Sequence, residues 1–295
     1  MFDISNFFQI VVSGCAIGSV YALLALGYTI TYNSLRLINF AQGDMYMLGA
    51  VFGLMYVNSG VPYIAAIFLG GLTSAVFGMI IERGIFRPLR GFAPLNLIIA
   101  TIGISTTIRA VSQLIWGSHA MPYPPVFGTN PIAIGPVQIM PAYLAVLCIA
   151  ALCIVLLQLF FQYTKLGKAI RATSQNRDAA AMMGIPIDRM GSIAAAISAG
   201  LGGIGGVLVG PIFYVEMEMG ALAGLKGFAA AVLGGFGSIP GAISGGVVLG
   251  IAENLSARYI SSAYKDAIAF VVLIAVLLLK PNGLLGGKGK GIKKI

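Results

Sequence analysis

The sequence predicts an all-α integral membrane protein, a polytopic bundle of about eight or nine transmembrane helices. Of the 295 residues, 58% are hydrophobic and only 9% carry a charge, whereas soluble domains carry about 25% charged residues. The mean hydropathy is +0.95, and the apolar residues form runs of about 20 residues, the length that a helix needs to span a bilayer. The 40 glycines are typical of helices that pack closely in lipid. A single transmembrane domain over residues 1–295 follows.

Nine apolar runs are predicted to cross the membrane. They cover residues 8–32, 38–57, 62–82, 95–116, 136–162, 190–213, 221–236, 240–256 and 264–280. The seventh and eighth runs are short and rich in glycine, so they are either two crossings or one broken, re-entrant unit. In several runs glycines repeat every four residues, as in Gly14 with Gly18 and Gly246 with Gly250. This spacing places small residues on one helix face and predicts close packing.

The Lys and Arg residues predict the orientation of the bundle. Most of the 18 lie in one set of loops, which contain Arg36, Arg83, Arg87, Arg90, residues 163–189, Lys280 and the tail lysines 288, 290, 293 and 294. Because basic loops stay inside, these loops and the C-terminus are predicted to be cytoplasmic, and the N-terminus lies outside if there are nine spans. Residues 117–135, rich in proline and glycine, are predicted to form an external loop without regular structure.

The sequence argues against an enzyme and against a resident cofactor. The single histidine, His119, has no second metal ligand nearby, and GGKGKG at 286–291 lacks the spacing of a nucleotide-binding P-loop. The three cysteines match no metal or disulfide pattern. The net charge of +9 comes from the basic loops, whose lysines suit lipid headgroups, and no aromatic-basic interleaving indicates nucleic-acid binding. We therefore expect no catalytic residue and no bound metal.

Two glycine-broken stretches are the best candidates for a translocation path, because transporters often place their sites where helices are short or interrupted. INFAQGDMYMLGA, at 38–50, is predicted to put polar residues at the inner entrance of a span, and GALAGLKGFAAAVLGGFGSIPGA, at 220–242, breaks twice. Their faint likeness permits an inverted repeat as one interpretation. Together with an acidic residue of a later span, they supply the candidate path or gate residues Asn39, Gln42, Asp44, Gly234, Gly235 and Glu253.

Three ionisable residues within or at the ends of predicted spans are functional candidates with competing interpretations. Asp44 either caps the start of its helix, where a carboxylate is favourable, or lines the path. Arg109 lies toward the outer end of its span and is expected to extend toward the membrane surface. Glu253 lies inside a glycine-rich span, and its alternative cationic partners are Lys226 and Arg258.

The basic loop 163–189 contains the signals of a separate short helix, NRDAAAMMG, at 176–184. Asn176 is a good N-cap, Asp178 suits the first turn, and Gly184 with the proline that follows ends the helix. A helix of this length is not stable in water by itself. It therefore needs a surface to dock on.

The docking face of this helix is predicted to be an apolar strip of Ala179, Ala180 and Met183, which Met182 widens. One alternative is an amphipathic helix that lies on the bilayer. Docking on a protein is favoured, because the strip is small and methionine side chains adapt to a protein groove.

Four stretches of the chain point to a known family. They are YALLALGYTITYNSLRLINFAQGDMYMLGA near the N-terminus, KAIRATSQNRDAAAMMGI in the middle, GLKGFAAAVLGGFGSIPGAISGGVVLGIAENL later and PNGLLG near the end. Together they resemble the LivH-like permeases of ABC transporters for branched-chain amino acids. The resemblance extends over nearly the whole chain, and the motif Asn-Phe-Ala-x-Gly-acidic combined with the late glycine-rich block is specific.

The resemblance implies an importer of several subunits in the bacterial inner membrane, in which this chain is a permease without its own ATPase site. A second related permease completes the pore, two cytoplasmic ATP-binding subunits use ATP-Mg, and a periplasmic binding protein delivers the substrate. The 163–189 loop then contains the coupling helix that docks into the ATPase. Its residues are Asn176, Arg177, Asp178, Ala179, Ala180, Met182, Met183 and Gly184.

The substrate is predicted less directly. By resemblance, branched-chain or other hydrophobic amino acids are the default, and urea or short amides are the alternative. Gln42 stands where many relatives carry histidine, which removes a titratable group and weakens any proton-linked role there. A secondary transporter that works without ATPases is a further alternative, but it would need a relay of ionisable residues, which are few in these spans.

Overall fold

The protein is a helical bundle in the computed structural model, which describes residues 4–128, 130–134 and 137–285. Eleven α-helices lie within these ranges: α1 Ile4–Leu35, α2 Gln42–Asn58, α3 Tyr63–Ile81, α4 Pro94–Trp116, α5 Pro141–Tyr163, α6 Lys165–Gln175, α7 Arg177–Met182, α8 Ile187–Val209, α9 Met219–Gly234, α10 Ile239–Tyr259 and α11 Lys265–Leu279. The tail lysines and the stretch 286–291 lie outside the described residues.

Nine of these helices lie at the nine predicted spans, so the predicted all-α membrane fold is confirmed. Six helical segments of the described chain are individually long and apolar enough to cross a membrane, and α9 with α10 passes the same test as a pair bent by 120°. Helix α2, with 17 residues, is slightly shorter than a full span. With α2 included, the count is eight or nine, depending on whether the bent pair counts once or twice.

Helix α1 forms the centre of the bundle and packs against α10 through glycines. A Cβ atom on Gly246 would lie 2.4 Å from the backbone nitrogen of Ala22, and one on Gly250 would lie 2.3 Å from the Cα atom of Gly18. Real Cβ atoms do not approach so closely, so only glycine lets these two backbones touch. The predicted packing role of the four-residue glycine spacing is confirmed here.

Helix α8 is held between α2 and α3 by the same kind of contact. A Cβ atom on Gly206 would lie 1.9 Å from the carbonyl oxygen of Tyr46, and one on Gly78 would lie 2.3 Å from the Cβ atom of Ala199. Residues of α8 are therefore largely buried, whereas α4, α5 and α11 expose most of their apolar surface. A tight inner group of helices and a loosely packed outer group result.

The loop between α4 and α5 is more ordered than predicted. Residues Ile132–Ile134 and Val137–Ile139 pair as a two-stranded antiparallel hairpin, and Met121 pairs with Val215 of the connection between α8 and α9. The prediction of no regular structure over 117–135 is wrong at this point, because short alternating β-branched stretches pair locally despite the surrounding prolines. The fifth span accordingly begins at Pro141, later than the predicted residue 136.

The loop between α5 and α8 also contains a helix that was not predicted. Helix α6 directly follows α5, and the hydroxyl of Thr164 caps it by accepting a hydrogen bond from the backbone nitrogen of Gly167 at 2.9 Å. Ile170 and Thr173 are buried on one face. Helices α6 and α7 thus form a folded layer between α5 and α8.

Candidate functional site

The predicted short helix is present as α7, with its caps at the predicted residues. The side-chain oxygen of Asn176 accepts a hydrogen bond from the backbone nitrogen of Ala179 at 3.0 Å. At the other end, Gly184 adopts a φ of +77°, which glycine tolerates without strain, and its nitrogen donates to the carbonyl oxygen of Ala181 at 2.9 Å. Sequence signals alone therefore located this element correctly.

The apolar strip predicted for α7 is divided between two faces. Ala180 is buried against the rest of the protein with 5% exposure, whereas Met182 and Met183 are 82% and 83% exposed. Ala179, placed in the same strip by the prediction, is exposed as well. The prediction of one continuous docking face is wrong, because a six-residue helix uses one side to attach to its own chain. The methionine pair remains as the outward apolar surface.

A cleft with several arginines lies beside α7. Its volume is about 730 Å³, and Arg87, Arg177, Asp188 and Arg189 line it together with Gly184. The outward face of this region thus combines two flexible apolar side chains with a basic rim. That combination suits contact with another protein, since methionine adapts its shape and arginine forms directed hydrogen bonds.

A buried ion network, which the sequence analysis did not single out, lies behind this cleft. The Glu82 carboxylate, 0% exposed, contacts the Arg90 guanidinium and accepts a hydrogen bond from the Ser192 hydroxyl at 2.6 Å. Arg90 also pairs with Asp188 at 2.6 Å. Desolvation lowers the pKa of the Arg90 guanidinium from its usual value, and the adjacent Glu82 opposes this shift. The signal in the sequence was one acidic residue among three arginines in ERGIFRPLR at 82–90.

Gln42 lies in a buried polar contact among α1, α2 and α8. Its side-chain nitrogen donates to the carbonyl oxygen of Ser198 at 2.8 Å, and its oxygen lies 2.9 Å from the Ser198 hydroxyl. The same hydroxyl reaches the carbonyl oxygen of Gly27 and accepts from Thr31, each at 2.8 Å.

Gln42 therefore lies deeper than the predicted inner entrance. Gly27, which it contacts, is eight residues before the end of α1 at Leu35, so Gln42 lies about 12 Å along α1 from that end. The segment before α2 returns into the bundle before the helix begins. Asn39, in that segment, orders it by accepting a hydrogen bond from the backbone nitrogen of Ala41 at 3.1 Å.

Asp44 lies in the first turn of α2, where a carboxylate is favourable, and it also forms an ion pair. Its Oδ1 atom lies 3.3 Å from Nε of Arg109, and Nη1 of Arg109 lies 3.2 Å from the Glu218 carboxylate. The N-cap residue of α2, Ala41, makes no side-chain hydrogen bond. The Arg109 guanidinium is thus shared between a buried and an exposed carboxylate, and its extension toward the membrane surface stays a prediction. Arg109 thereby attaches the loosely packed α4 to α2 and α9.

Glu253 has Lys226 as its partner. The two side chains lie 2.7 Å apart, and the Tyr21 hydroxyl donates to the same carboxylate at 2.8 Å. Lys226 also pairs with Asp266 at 2.6 Å. Arg258, the alternative partner, is exposed and lines an outer cleft. This cluster joins α1, α9, α10 and the start of α11.

Gly234 and Gly235 form the sharp turn between α9 and α10. A Cβ atom on Gly234 would lie 1.8 Å from the carbonyl oxygen of Gly241, and Gly235 has a φ of +111°. The turn lies at the end of α1, where the side chain of Asn33 donates to the carbonyl oxygen of Gly237 at 2.9 Å. These glycines therefore allow a helical hairpin to close.

The six candidate path residues do not form a single site. The structure distributes them over the Gln42 contact, the Asp44 ion pair, the Glu253 cluster and the hairpin turn, while the segment containing Asn39 connects α1 to α2. In the described part of the chain, no group of three His, Cys, Asp or Glu residues is arranged to hold a metal ion. Their role in translocation stays a prediction.

The comparisons with known proteins agree with this architecture. Residues 10–277 match the family model described as the permease component of the branched-chain amino acid transport system. The chain belongs to this permease family. It is 37% identical to the high-affinity branched-chain amino acid transport system permease protein LivH of Escherichia coli, over 95% of this chain and 96% of the relative. It is 35% identical to the corresponding protein BraD of Pseudomonas aeruginosa, over 96% and 97%.

More distant similarities extend the comparison to the fold. The ribose import permease protein RbsC of Escherichia coli is 27% identical over 94% of this chain and 86% of the relative. Among solved structures, PsaBC from Streptococcus pneumoniae in complex with Fab is similar with a TM-score of 0.54 and 14% identity, over 95% of this chain and 97% of that one. The permease is thus a multi-pass membrane protein, and PsaBC shares its fold.

Proposed function

We propose that this permease is the transmembrane subunit of an ABC importer that carries branched-chain or other hydrophobic amino acids across the bacterial inner membrane. The observation that carries the proposal is a capped cytoplasmic helix with two exposed methionines in a chain similar over almost its full length to LivH and BraD. Both relatives are named as branched-chain amino acid permeases.

The energy for transport comes from partner subunits. Two cytoplasmic ATP-binding subunits bind ATP-Mg, a second related permease completes the pore, and a periplasmic binding protein delivers the substrate. This chain binds no cofactor and hydrolyses no ATP. In this arrangement the α7 surface contacts an ATP-binding subunit.

The basic loops and the C-terminus face the cytoplasm in this proposal. Three basic segments meet at one end of the bundle, which supports it: Arg36 donates to the carbonyl oxygen of Ser174 at 2.8 Å, and Arg90 pairs with Asp188. Leu284, near the C-terminus, donates its backbone hydrogen bond to Leu233 at the α9–α10 turn, beside the end of α1. A shared basic end is what the positive-inside rule requires of a cytoplasmic face.

Transport proceeds by alternating access. Closure of the ATP-binding subunits moves α7, and α8, which follows it after a short proline-containing link, moves with it. The glycine contacts that join α8 to α2 and α3 then transmit the displacement through the inner helices. The path opens inward, and the substrate is released into the cytoplasm.

Co-purification tests this function. The permease is solubilised gently from membranes of a strain that takes up substrate, and the subunits that purify with it are identified by mass spectrometry. We expect an ATP-binding subunit in the preparation. If none is found although the cells take up substrate through this permease, an ATPase-independent transporter is favoured.

Isotope uptake in a strain that lacks the permease tests the substrate class. Uptake of labelled leucine, restored by the wild-type chain, is competed with isoleucine, valine, urea and short amides. We expect competition by the aliphatic amino acids and none by urea. The reverse pattern would replace the amino acid assignment with the amide alternative.

A further inference from the structure

The Glu82 carboxylate lies at a point where α3 changes its helical form. Residues Glu82–Phe86 form a π-helix, and the backbone nitrogen of Arg87 donates to the carbonyl oxygen of Glu82 at 2.7 Å. Short π-helical segments occur frequently at functional sites. Here the wider turn ends α3 with Glu82 facing the start of α8.

The partners of Glu82 come from two separate segments. Arg90 and Arg87 follow it in the chain, with Arg87 3.6 Å away. Ser192 belongs to the second turn of α8 and donates its hydroxyl to Glu82. Arg87 also donates to the Ser192 hydroxyl at 2.8 Å, so the carboxylate, both arginines and the serine form one connected cluster.

The cluster continues to the residues that follow the coupling helix. Arg90 lies 2.6 Å from Asp188 in the first turn of α8, and Arg87 donates to the Asp188 backbone oxygen at 3.1 Å. Asp188 is only four residues beyond Gly184, which ends α7. The ion network therefore connects the segment that follows α7 to α3, although the two are distant from each other in the sequence.

We propose that Glu82 is a positioning residue that connects the segment after the coupling helix α7 to α3. Through this connection, α3 and α8 move as one unit when the ATP-binding subunits move α7. The proposal rests on the proposed function, since it assumes that α7 receives the movement. It adds a polar connection at the end of α3, beside the glycine contacts that already join α3 to α8.

The burial of Glu82 is the physical reason why the connection holds during movement. The carboxylate is 0% exposed, so separating it from Arg90 and Ser192 would leave a buried charge without compensation, which is strongly unfavourable. Moving the whole cluster together avoids that cost. The exposed Asp188 side chain, in contrast, contributes little stability through its ion pair but supplies the last link to α7.

Three variants of the reconstituted importer test the proposal: Glu82→Gln, Asp188→Asn and Arg83→Gln. Glu82→Gln removes the buried charge at nearly constant shape. Asp188→Asn removes the ion pair with Arg90 at an exposed position and keeps the backbone oxygen that accepts from Arg87. Arg83→Gln is the matched control, an exposed charge on the same turn as Glu82. The complex is assembled in proteoliposomes, and both ATP hydrolysis and substrate uptake are measured.

We expect Glu82→Gln and Asp188→Asn to bind the ATP-binding subunits normally and to hydrolyse at least about fivefold more ATP per substrate imported, the lower end of usual coupling effects. Arg83→Gln should keep the wild-type ratio. A purely stabilising role would reduce the amount of assembled complex without changing this ratio. If Glu82→Gln does not assemble, Asp188→Asn decides the result.

An unchanged ratio in assembled Asp188→Asn would overturn the proposal. This outcome differs from failure of the proposed function, which the wild-type sample in the same experiment reports. A wild-type complex whose uptake is independent of ATP hydrolysis would disprove the ABC assignment. If uptake by the wild-type complex depends on ATP hydrolysis and the variants keep its ratio of ATP hydrolysed to substrate imported, only the proposed role of Glu82 is disproved.

Discussion

Charged side chains within the bundle face one another, whereas the short helix α7 exposes apolar side chains. Lys226 lies 2.7 Å from Glu253, and Arg109 lies 3.3 Å from Asp44, so each charge inside has a partner of opposite sign. On α7, Met182 and Met183 remain more than four-fifths exposed. Interior polar groups thus connect helices to one another, whereas α7 presents an apolar pair outside the spans. Under the proposed function, the inner bundle is stable by itself and is moved through this pair.

The inner bundle should fail when its closest backbone contact is blocked. In Gly246→Val, the side chain would meet backbone atoms of Ala22 that cannot move aside, so α1 and α10 must separate. We expect no stable protein in the membrane, measured by fluorescence-detected size exclusion after solubilisation. Gly103→Val is the control, because a Cβ atom at Gly103 meets nothing within 4 Å. Equal yields from both variants would show that the glycine contacts do not hold the bundle together.

Removing the cation of the Glu253 cluster should have the next largest effect. Lys226→Met leaves two carboxylates, Glu253 and Asp266, without their shared partner, and we expect destabilisation by about 3–5 kcal/mol. The measurement is reversible unfolding in mixed micelles with increasing denaturing detergent. Arg258→Met removes an exposed cation as a control and should change stability by less than about 1 kcal/mol. Similar losses in the two variants would contradict the assigned partnership.

Changing the end of the coupling helix should have a smaller effect. Gly184→Val forces a β-branched residue into a φ of +77° at a cost of about 1–2 kcal/mol, which we expect to distort α7 and raise ATP consumption per imported substrate. Gly184→Asn is the matched variant, because asparagine tolerates this conformation. Uptake and ATP hydrolysis are measured in the reconstituted importer. Normal coupling in Gly184→Val would exclude a role for the geometry of this turn.

The smallest effect on stability is expected at the exposed methionines. Met182→Gln combined with Met183→Gln removes apolar surface that the permease does not bury, so thermal stability should stay unchanged. Retention of the ATP-binding subunits during purification should fall. Leu166→Gln, a change at an exposed apolar residue of the neighbouring α6, serves as the control. A loss of stability in the double variant, with full retention of the subunits, would contradict the division between the two regions.

The spans and the short helix α7 could be predicted because their signals are local. Apolar runs are visible in the sequence, and Asn176 and Gly184 mark the ends of α7 by side-chain capping and by backbone freedom. Helix α6 was not predicted because its apolar face is short, although Thr164 is an N-cap signal. The strand pair of 132–134 with 137–139 was not predicted because proline and glycine around it favour an irregular loop.

The contacts between distant residues could not be predicted in the same way. In the sequence, Lys226 and Arg258 are equivalent candidate partners for Glu253. Only the packing of α9 against α10 selects Lys226. Likewise, the depth of Gln42 within the bundle depends on how the segment before α2 folds back between the helices. The contact of Glu82 with Ser192 depends on the packing of α3 on α8. Such pairings arise from tertiary packing, which a single sequence does not specify.

Site-specific photo-crosslinking tests the central claim most directly. A photo-crosslinking amino acid replaces Met183 in one sample and Leu114, exposed on α4, in another, and both are irradiated in membranes that take up substrate. We expect a covalent product between position 183 and an ATP-binding subunit, and none from position 114. Absence of that product at position 183 in transporting membranes would contradict the assignment of α7 as the contact with the ATPase.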